Sequence, residues 1–545
     1  MAAVRTFRSI LLAATSAVLL FLIYPPYDLS GLAWIALVPL FYLIRDSRPS
    51  GAFLYSLGCG SVFFGILLTW MLNVDTMNPF NYGAALLGHS LSFGVFGLTA
   101  CYLQRKLPRW RVLVLPTAWV LIEYLRAHQG FLSVPWGTLG YSQYAVLPVV
   151  QVAGLTGVYG VSFLLVLVNA TIAEVALHLL PMRKDGDIPL GEPSGRQRIS
   201  FGIIGSVGFL VMASVAYGYA VLPGSAGSSV LKTTLVQGNI YAEPKYSQAY
   251  ADNVFETYRR QTVRAAGSRP DLIVWPSSSV PGTIPRDQQL VGKLSDLATG
   301  AGTYLLIGAA GFDKFNLEQR MTRRVANSAF LFSPTGKILG RYDKIFLLPF
   351  DEYIPLRGRL DWPSWIVPPG MVDSLPGKEK TVFRMGKTRF CVLICWENMF
   401  PDLFREMAAQ GVDFMVGMTN EAFIGKSPAG HYQMFALYVL RAVENHVSLV
   451  RTSSTGVSAI VDPYGRITTR VRSQEGKDVD VEAVAEGTVP LTAERTFYTR
   501  YGDWFVYLLF VLMAGFVLAR RDPAGTAGIE RRTGVKTFIA KGGGG

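Results

Sequence analysis

The sequence predicts a membrane α-helical bundle of eight transmembrane helices joined to a separate α/β domain. Three observations lead there. Half of the 545 residues are hydrophobic and only 16% are charged, too apolar for a soluble chain of this length. The apolar residues gather into eight stretches, seven before residue 225 and one near residue 510. Between residues 226 and 495 the pattern changes to short β-rich runs separated by helical stretches, as in a layered α/β unit with its own core.

The seven leading stretches fall near residues 8–24, 30–45, 51–73, 82–103, 111–127, 157–180 and 200–222, and the eighth near 503–519. Several are long enough for about 30 Å of hydrocarbon, and the first two are marginal alone. YPPYD follows the first stretch, with no small-residue cleavage site, so that stretch reads as an anchor rather than a signal peptide.

Loop charges set the orientation. With Arg5 and Arg8 in the cytoplasm, the cytoplasmic loops carry Arg45 and Arg48; Arg105, Lys106, Arg109 and Arg111; and Arg183, Lys184, Arg196 and Arg198. Arg520, Arg521, Arg531 and Arg532 follow the eighth stretch, whereas the opposite short loops hold almost no basic residues. This is the positive-inside pattern. It puts both termini in the cytoplasm and residues 226–495 outside it, in the periplasm of a Gram-negative cell. The net charge of +13 then belongs to membrane topology rather than to a nucleic-acid groove. The expected division is 1–225 for helices one to seven, 226–495 for the periplasmic domain, 496–521 for the last helix, and 522–545 for a polar, Gly-rich, disordered tail. Glu123 and Arg126, near a helix end, are either a site feature or an interfacial snorkelling pair.

Within 226–495 the expected strands are KTTLVQGNI, DLIVWP, TYLLIGAA, NSAFLFSP, RFCVLICW, DFMVGMTN, VSLVRTSS and VSAIVDP. AYADNVFETYRRQTVRAA and HYQMFALYVLRAVENH read as helices between them.

Of the four cysteines, Cys59 and Cys101 lie in apolar runs and read as packing residues. Cys391 and Cys395 sit on one strand, their Cα atoms roughly 13 Å apart, too far for a disulfide. No zinc-type spacing occurs. Cys395 ends the strand FCVLIC before a polar turn. A thiol at a strand-to-helix junction is open to attack chemistry, and a nearby cation favours its thiolate. Lys344 and Glu352, in RYDKIFLLPFDEYIP, supply candidates: the ammonium could hold a thiolate or an oxyanion, and the alternative is a surface pair on a loop. DLIVWPSSSVPG runs a strand into Trp275-Pro276 and small polar residues, and strand C-terminal ends are where α/β sites gather.

WPSSSVPG, YDKIFLLPFDEYIP and ICWENMFPD, in this order, resemble the nitrilase, or carbon-nitrogen hydrolase, superfamily. Together with the flanking helices they resemble its apolipoprotein N-acyltransferase branch. LVQGNI, VPWGTLGYSQ, GLTGVYGVSFL, RAVEN, LVRTSSTGVSAIVDPYGR and FYTRYGDW extend the likeness over nearly the whole chain. The resemblance implies an αββα sandwich and a Glu–Lys–Cys triad. Cys395 matches the nucleophile, Lys344 the triad lysine and Glu352 a second, loop glutamate. Trp396 and Glu397 match the aromatic and acid after the nucleophile, and Tyr246 falls where the family often has Trp. Phe346, Leu347, Leu348 and Phe350 are expected either to dip into acyl chains or to pack as core. Phe350 and Phe423 join the expected substrate contacts, with Phe423–Ile424 as a possible lid.

The triad glutamate belongs directly after Trp-Pro, where this chain has Ser277. A serine hydroxyl is not a carboxylate base. VGMTNEAFIG also departs from the family, at Gly417, Glu421, Phe423 and Ile424. Three explanations stay open: another acid such as Glu352 replaces the base, the chain is a paralogue of weak or altered activity, or it is an engineered inactive form. The resemblance implies ping-pong acyl transfer. A phospholipid donates an acyl chain to Cys395, and the α-amine of a diacylglyceryl-modified lipoprotein takes it from the thioester. The competing functions are a membrane-tethered amidase and a degenerate homologue that binds lipid or lipoprotein. No cofactor, metal or nucleic acid is implied, and the chain is expected to act as a monomer in the bacterial inner membrane.

Overall fold

The computed structural model describes residues 2–45, 47–74, 77–179, 200–222, 229–241, 247–312, 325–367, 370–492 and 494–519. Tyr246, the basic segment with Arg183, Lys184, Arg196 and Arg198, and the tail from Arg520 lie outside the described residues.

All eight apolar stretches contain helix. They are α1 (Ala2–Leu22), α2 (Val38–Arg45), α3 (Pro49–Leu67), α4 (Pro79–Lys106), α5 (Arg111–Ala127), α6 (Val158–Leu179), α7 (Phe201–Val221) and, after the α/β domain, the helix Trp504–Leu518. Four of them, α3, α4, α6 and α7, are long and apolar enough to cross a bilayer. The others offer shorter apolar segments, Thr6–Leu22 within α1 for example, and Trp504–Leu518 has 15 residues, or roughly 22 Å of helix. The stretch 30–45 is broken between a 3₁₀ turn (Ser30–Trp34) and α2. Asn169 on α6 repairs the break, donating from Nδ2 to the Ala33 carbonyl at 2.8 Å and accepting from the Leu37 N–H at 2.8 Å. A buried amide thus satisfies backbone groups that hydrocarbon would leave unpaired. Two short helices, Leu147–Val150 and Ala153–Thr156, precede α6 and were not expected.

The α/β domain is built from two sheets. The first contains β1 (Val230–Gln237), β2 (Leu272–Val274), β3 (Val280–Ile284), β4 (Tyr304–Gly311), β5 (Ala326–Phe332) and β6 (Ile338–Asp343). The second contains β7 (Val382–Met385), β8 (Thr388–Ile394), β9 (Phe414–Thr419), β10 (Ser448–Ser453), β11 (Ala459–Val461) and β12 (Ile467–Arg470), and β13 (Ala483–Pro490) returns to the first. Strand orders are β13-β1-β2-β4-β5-β6, with β3 beside β4, and β12-β11-β10-β9-β8-β7. The centres are parallel (β1/β2/β4 and β8/β9/β10) and the edges antiparallel.

Side-chain alternation makes the layers. Leu272, Val274, Leu306 and Leu331 share one core with Leu393, Val416 and Val450 of the second sheet. Their neighbours Ile273, Trp275, Ile307 and Phe330 point the other way, onto Val254, Tyr258 and Leu294, which belong to α8 (Gln248–Ala266) and α9 (Gln288–Ala301). On the far side α10 (Pro401–Ala408) and α11 (Pro428–Asn445) cover the second sheet with Phe404, Met407 and Tyr438. The period of two along each strand gives every sheet two apolar faces, and the result is a helix–sheet–sheet–helix sandwich. The helix Trp504–Leu518 is α12. The eight expected strands are all present; β3, β6, β7, β12 and β13 are additional.

Candidate active site

Cys395 follows β8 directly and opens a 3₁₀ turn, Cys395–Met399. Its φ is +53°, a left-handed conformation that costs a non-glycine residue about 1–3 kcal/mol and persists only where surroundings fix it. They do so here. The Cys395 carbonyl accepts from Tyr438 Oη at 2.9 Å and from Asn398 Nδ2 at 3.2 Å. Asn398 Nδ2 also donates to the Leu393 carbonyl at 3.0 Å. Gly417 lies opposite Leu393 on β9, and a Cβ there would stand 2.8 Å from Asn398 Oδ1. This is a physical reason for glycine at one of the positions that depart from the family pattern.

Lys344 comes just after β6. Its ammonium is buried and donates to Glu352 Oε2 at 2.6 Å; the same oxygen accepts from the Leu348 N–H at 2.7 Å. Burial pulls the Lys344 pKa down, but Cys395 in its thiolate form, together with Glu352, outweighs it and holds the ammonium above its ordinary value. The surface-pair alternative for Lys344 and Glu352 is therefore excluded. The cation favours the Cys395 thiolate as expected, but burial outweighs it. Burial pushes Cys395 up to about 11; Lys344 pulls it down, and Glu352 and Glu421 push it further up. Without a proton acceptor, Cys395 is a thiol at neutral pH.

Ser277 is buried at the turn after β2. Gly308 on β4 makes room for it: a Cβ on Gly308 would meet Ser277 Cα at 2.5 Å. Ser277 Oγ donates to Asn327 Oδ1 at 3.2 Å, and Asn327 Nδ2 faces Glu352 Oε1 at 3.4 Å. Ser277, Asn327, Glu352 and Lys344 thus form one hydrogen-bonded group, and Cys395, at the end of β8 in the second sheet, feels the charges of Lys344 and Glu352. Asn327, in the ordinary-looking strand ANSAFLF, carried no signal in the sequence.

Glu397 is fully buried. Its Oε1 accepts from the Ile345 and Phe346 N–H groups at 2.6 and 3.0 Å, and its Oε2 from the Ile394 N–H at 2.8 Å. Tyr342 Oη donates to both oxygens, at 2.9 and 3.0 Å. Burial raises its pKa to about 7 against these bonds. With both oxygens committed to protein donors, Glu397 is a clamp between the lysine loop and the nucleophile turn, not the substrate contact expected from its position.

The aromatic candidates divide. Phe346 is exposed and meets Phe400 (ring centroids 5.7 Å), which also meets Trp396 (5.5 Å). Phe350 has φ +66° and packs on Trp362 (5.0 Å) and on Phe131 of the membrane half (6.4 Å). Leu347 and Leu348 are half-buried. Phe423 is exposed, but Ile424 is buried, so the two do not form a lid together. Glu421 is buried in an ion pair with Arg451 and bonds His431 Nδ1 at 2.8 Å; burial acts against its ionised form, but Arg451 and His431 keep its pKa low. Glu123 and Arg126 are buried in the helical half, which rules out interfacial snorkelling. Glu123 Oε1 accepts from Trp119 Nε1 at 2.7 Å and the Leu139 N–H at 2.8 Å. A third polar group, unseen in the sequence because its members are far apart, joins the halves: His128 Nε2 meets Asp402 Oδ2 at 2.8 Å beside Asp503.

Residues 16–171 match the apolipoprotein N-acyltransferase N-terminal domain and residues 232–492 the carbon-nitrogen hydrolase domain. The apolipoprotein N-acyltransferase of Geobacter metallireducens is 33% identical over 92% of this chain and 93% of its own length. The chain belongs to the apolipoprotein N-acyltransferase family. The Gloeobacter violaceus member is 30% identical over 96% of both chains. Among solved structures, an amidase from Nesterenkonia sp. has 17% identity and a TM-score of 0.36, covering 51% of this chain and 96% of its own. The two matched domains account for both halves of this family member: the helices fall largely in the first and the sandwich in the second.

Proposed function

We propose that this chain is an acyltransferase that moves an acyl chain from a phospholipid to the N-terminal amine of diacylglyceryl-cysteine on lipoproteins, through a thioester on Cys395. Family membership supports the reaction class. The single structural observation that carries the mechanism is the buried Lys344–Glu352 pair at 2.6 Å beside a strained Cys395.

The steps follow from that geometry. Cys395 attacks the donor ester carbonyl as its proton passes into the Lys344–Glu352 pair, since a thiol held near 11 is not ionised beforehand. Lys344 stabilises the tetrahedral oxyanion, the C–O bond breaks, and a lysophospholipid leaves. The lipoprotein amine then attacks the thioester carbonyl and Cys395 is released. Ser277 contributes a hydrogen bond to Asn327 and no base, so Glu352 supplies the carboxylate that the family places after Trp-Pro.

All eight apolar helices are read as spanning or entering the bilayer, with both termini cytoplasmic and the sandwich in the periplasm over the outer leaflet, where both lipid-anchored substrates lie. The division into residues 1–225, 226–495, 496–521 and 522–545, action as a monomer, and substrate contact by Trp396, Phe350, Phe423 and Tyr246 belong to the same proposal. The test is to incubate the purified chain with a defined phospholipid and a synthetic diacylglyceryl-cysteinyl peptide. An N-acylated peptide that Cys395→Ala abolishes is expected; free fatty acid with no acylated peptide would make the chain an amidase instead.

A further inference from the structure

The Cys395–Trp396 peptide joins the nucleophile to a side chain outside the mechanism. Its carbonyl, that of Cys395, accepts from Tyr438 Oη at 2.9 Å and from Asn398 Nδ2 at 3.2 Å. Its other end, the Trp396 N–H, donates to the Cys395 sulfur and favours the thiolate. Carbonyl and N–H belong to one delocalised amide. A donor on the oxygen draws electron density from the nitrogen and makes the N–H a stronger donor, by roughly 10–30% per added bond. Tyr438 and the sulfur are thus linked through the backbone.

Tyr438 is fully buried on α11. Burial holds its phenol well above the ordinary range, and Arg451 acts against that: the guanidinium lies over the ring, 4.7 Å from its centroid. A cation in that place polarises the phenol and strengthens its O–H as a donor. Arg451 is held in turn by its buried ion pair with Glu421, which meets His431 Nδ1 at 2.8 Å. The helix itself is pinned to the membrane half. Gln433 Oε1 accepts from Trp136 Nε1 at 2.8 Å, Arg441 Nη2 donates to Tyr141 Oη at 3.0 Å, and Glu444 Oε1 accepts from the Val158 N–H at 2.9 Å. Tyr438 therefore sits on a braced helix, not on a loop.

We propose that Tyr438 is a positioning residue for Cys395: its hydroxyl fixes the left-handed turn at the nucleophile and, through the Cys395–Trp396 peptide, strengthens the N–H that steadies the thiolate. Arg451 stands behind it as the group that strengthens the phenol. Tyr438 has this role only if Cys395 is the nucleophile of the acyl-transfer reading, on which the assignment rests.

The experiment uses the full-length chain in detergent and follows Cys395 by iodoacetamide alkylation across pH, with adducts mapped by mass. Lys344, Glu352 and Glu421 act on the sulfur by charge and stay in place in every variant. Tyr438→Phe keeps a ring over Arg451 and removes the donor, while Asn398 still satisfies the carbonyl. Below the midpoint the alkylation rate follows the thiolate fraction. Tyr438→Phe is expected to lower that rate about threefold near pH 9, equal to a midpoint about half a unit higher. Acyl-enzyme formation from a defined phospholipid is expected to fall with it. Replacing Tyr438 by 3-fluorotyrosine, a more acidic phenol of nearly the same size, is expected to move both rates the other way. That replacement carries the test if Tyr438→Phe fails to fold, as judged by elution and melting. Tyr432→Phe removes a hydroxyl of the same helix that donates to Asp478 at 2.6 Å, and is expected to leave the alkylation curve unmoved. An unmoved curve in either Tyr438 variant, shifts of the same sign in both, or an equal shift in Tyr432→Phe would make Tyr438 a packing residue and overturn the proposal. An alkylation curve that moves as expected in a chain that forms no thioester would instead overturn the acyl-transfer reading.

Discussion

Glu397→Gln tests the clamp that holds the site together. Gln keeps the shape of Glu but turns one acceptor oxygen into a donor. In the less costly orientation the remaining oxygen keeps the Ile345 and Phe346 N–H groups at 2.6 and 3.0 Å, and the NH₂ lands where Oε2 accepted from the Ile394 N–H at 2.8 Å. One buried N–H then faces another donor. An orphaned buried donor costs about 1–3 kcal/mol; the opposite orientation orphans two and costs more. The expected loss is about 2 kcal/mol, seen as an apparent melting temperature lower by about 4–8 °C. Because the clamp ties the lysine loop to the nucleophile turn, thioester formation is expected to fall at least about tenfold, as small misplacements of reacting groups do. The assay pairs thermal unfolding with acylation of Cys395 by a labelled phospholipid. Unchanged melting together with unchanged acylation would refute the clamp.

Three further outcomes follow from the site. Alkylation of Cys395 by iodoacetamide is expected to rise with pH from 7 toward 11, since burial raises the thiol to about 11 and only the thiolate reacts; Lys344→Met, which removes the group pulling that value down, moves the curve to higher pH, and a wild-type midpoint near 8 would contradict this. Arg451→Met leaves Glu421 short of a buried partner and is expected to cost about 3–5 kcal/mol, whereas His128→Ala breaks a partly exposed pair worth at most about 1 kcal/mol; comparing their denaturation midpoints checks the contrast. Ser277→Glu adds a carboxylate beside Asn327 where Glu352 already serves as base, and is expected to leave the initial rate of acyl-enzyme formation within about threefold; a gain of about 100-fold, the scale of general-base help, would show that Glu352 does not supply the base.

Much of the fold was legible because periodicity reports burial. The expected strands are the sheet centres, such as β2, β4, β8, β9 and β10, whose residues are apolar on both faces. The missed ones lie mostly at edges: β12 (ITTR) and β13 (AVAEGTVP) expose much of their length, so nothing in their composition separates them from loops. The break in the second apolar stretch was equally hidden, because Asn169, on a distant helix, makes it tolerable. At the site, Cys395, Lys344 and Glu352 announced themselves through local motifs. Asn327, the Glu397 clamp and the His128–Asp402 joint depend on which segments the sheets bring together, which spacing does not encode. At Cys395 the neighbouring cation was visible in the sequence and pulls the thiol down, but the burial that outweighs it was not visible.

Acyl transfer by this chain requires Cys395 to carry the acyl chain. Incubating the full-length chain with a phospholipid of one defined chain length, then digesting it and mapping adducts by mass spectrometry, tests this most directly. The predicted result is one acyl chain on the Cys395 peptide, removed by hydroxylamine and absent from Cys395→Ala. A folded chain that carries no adduct, or that carries it on another residue, would contradict it.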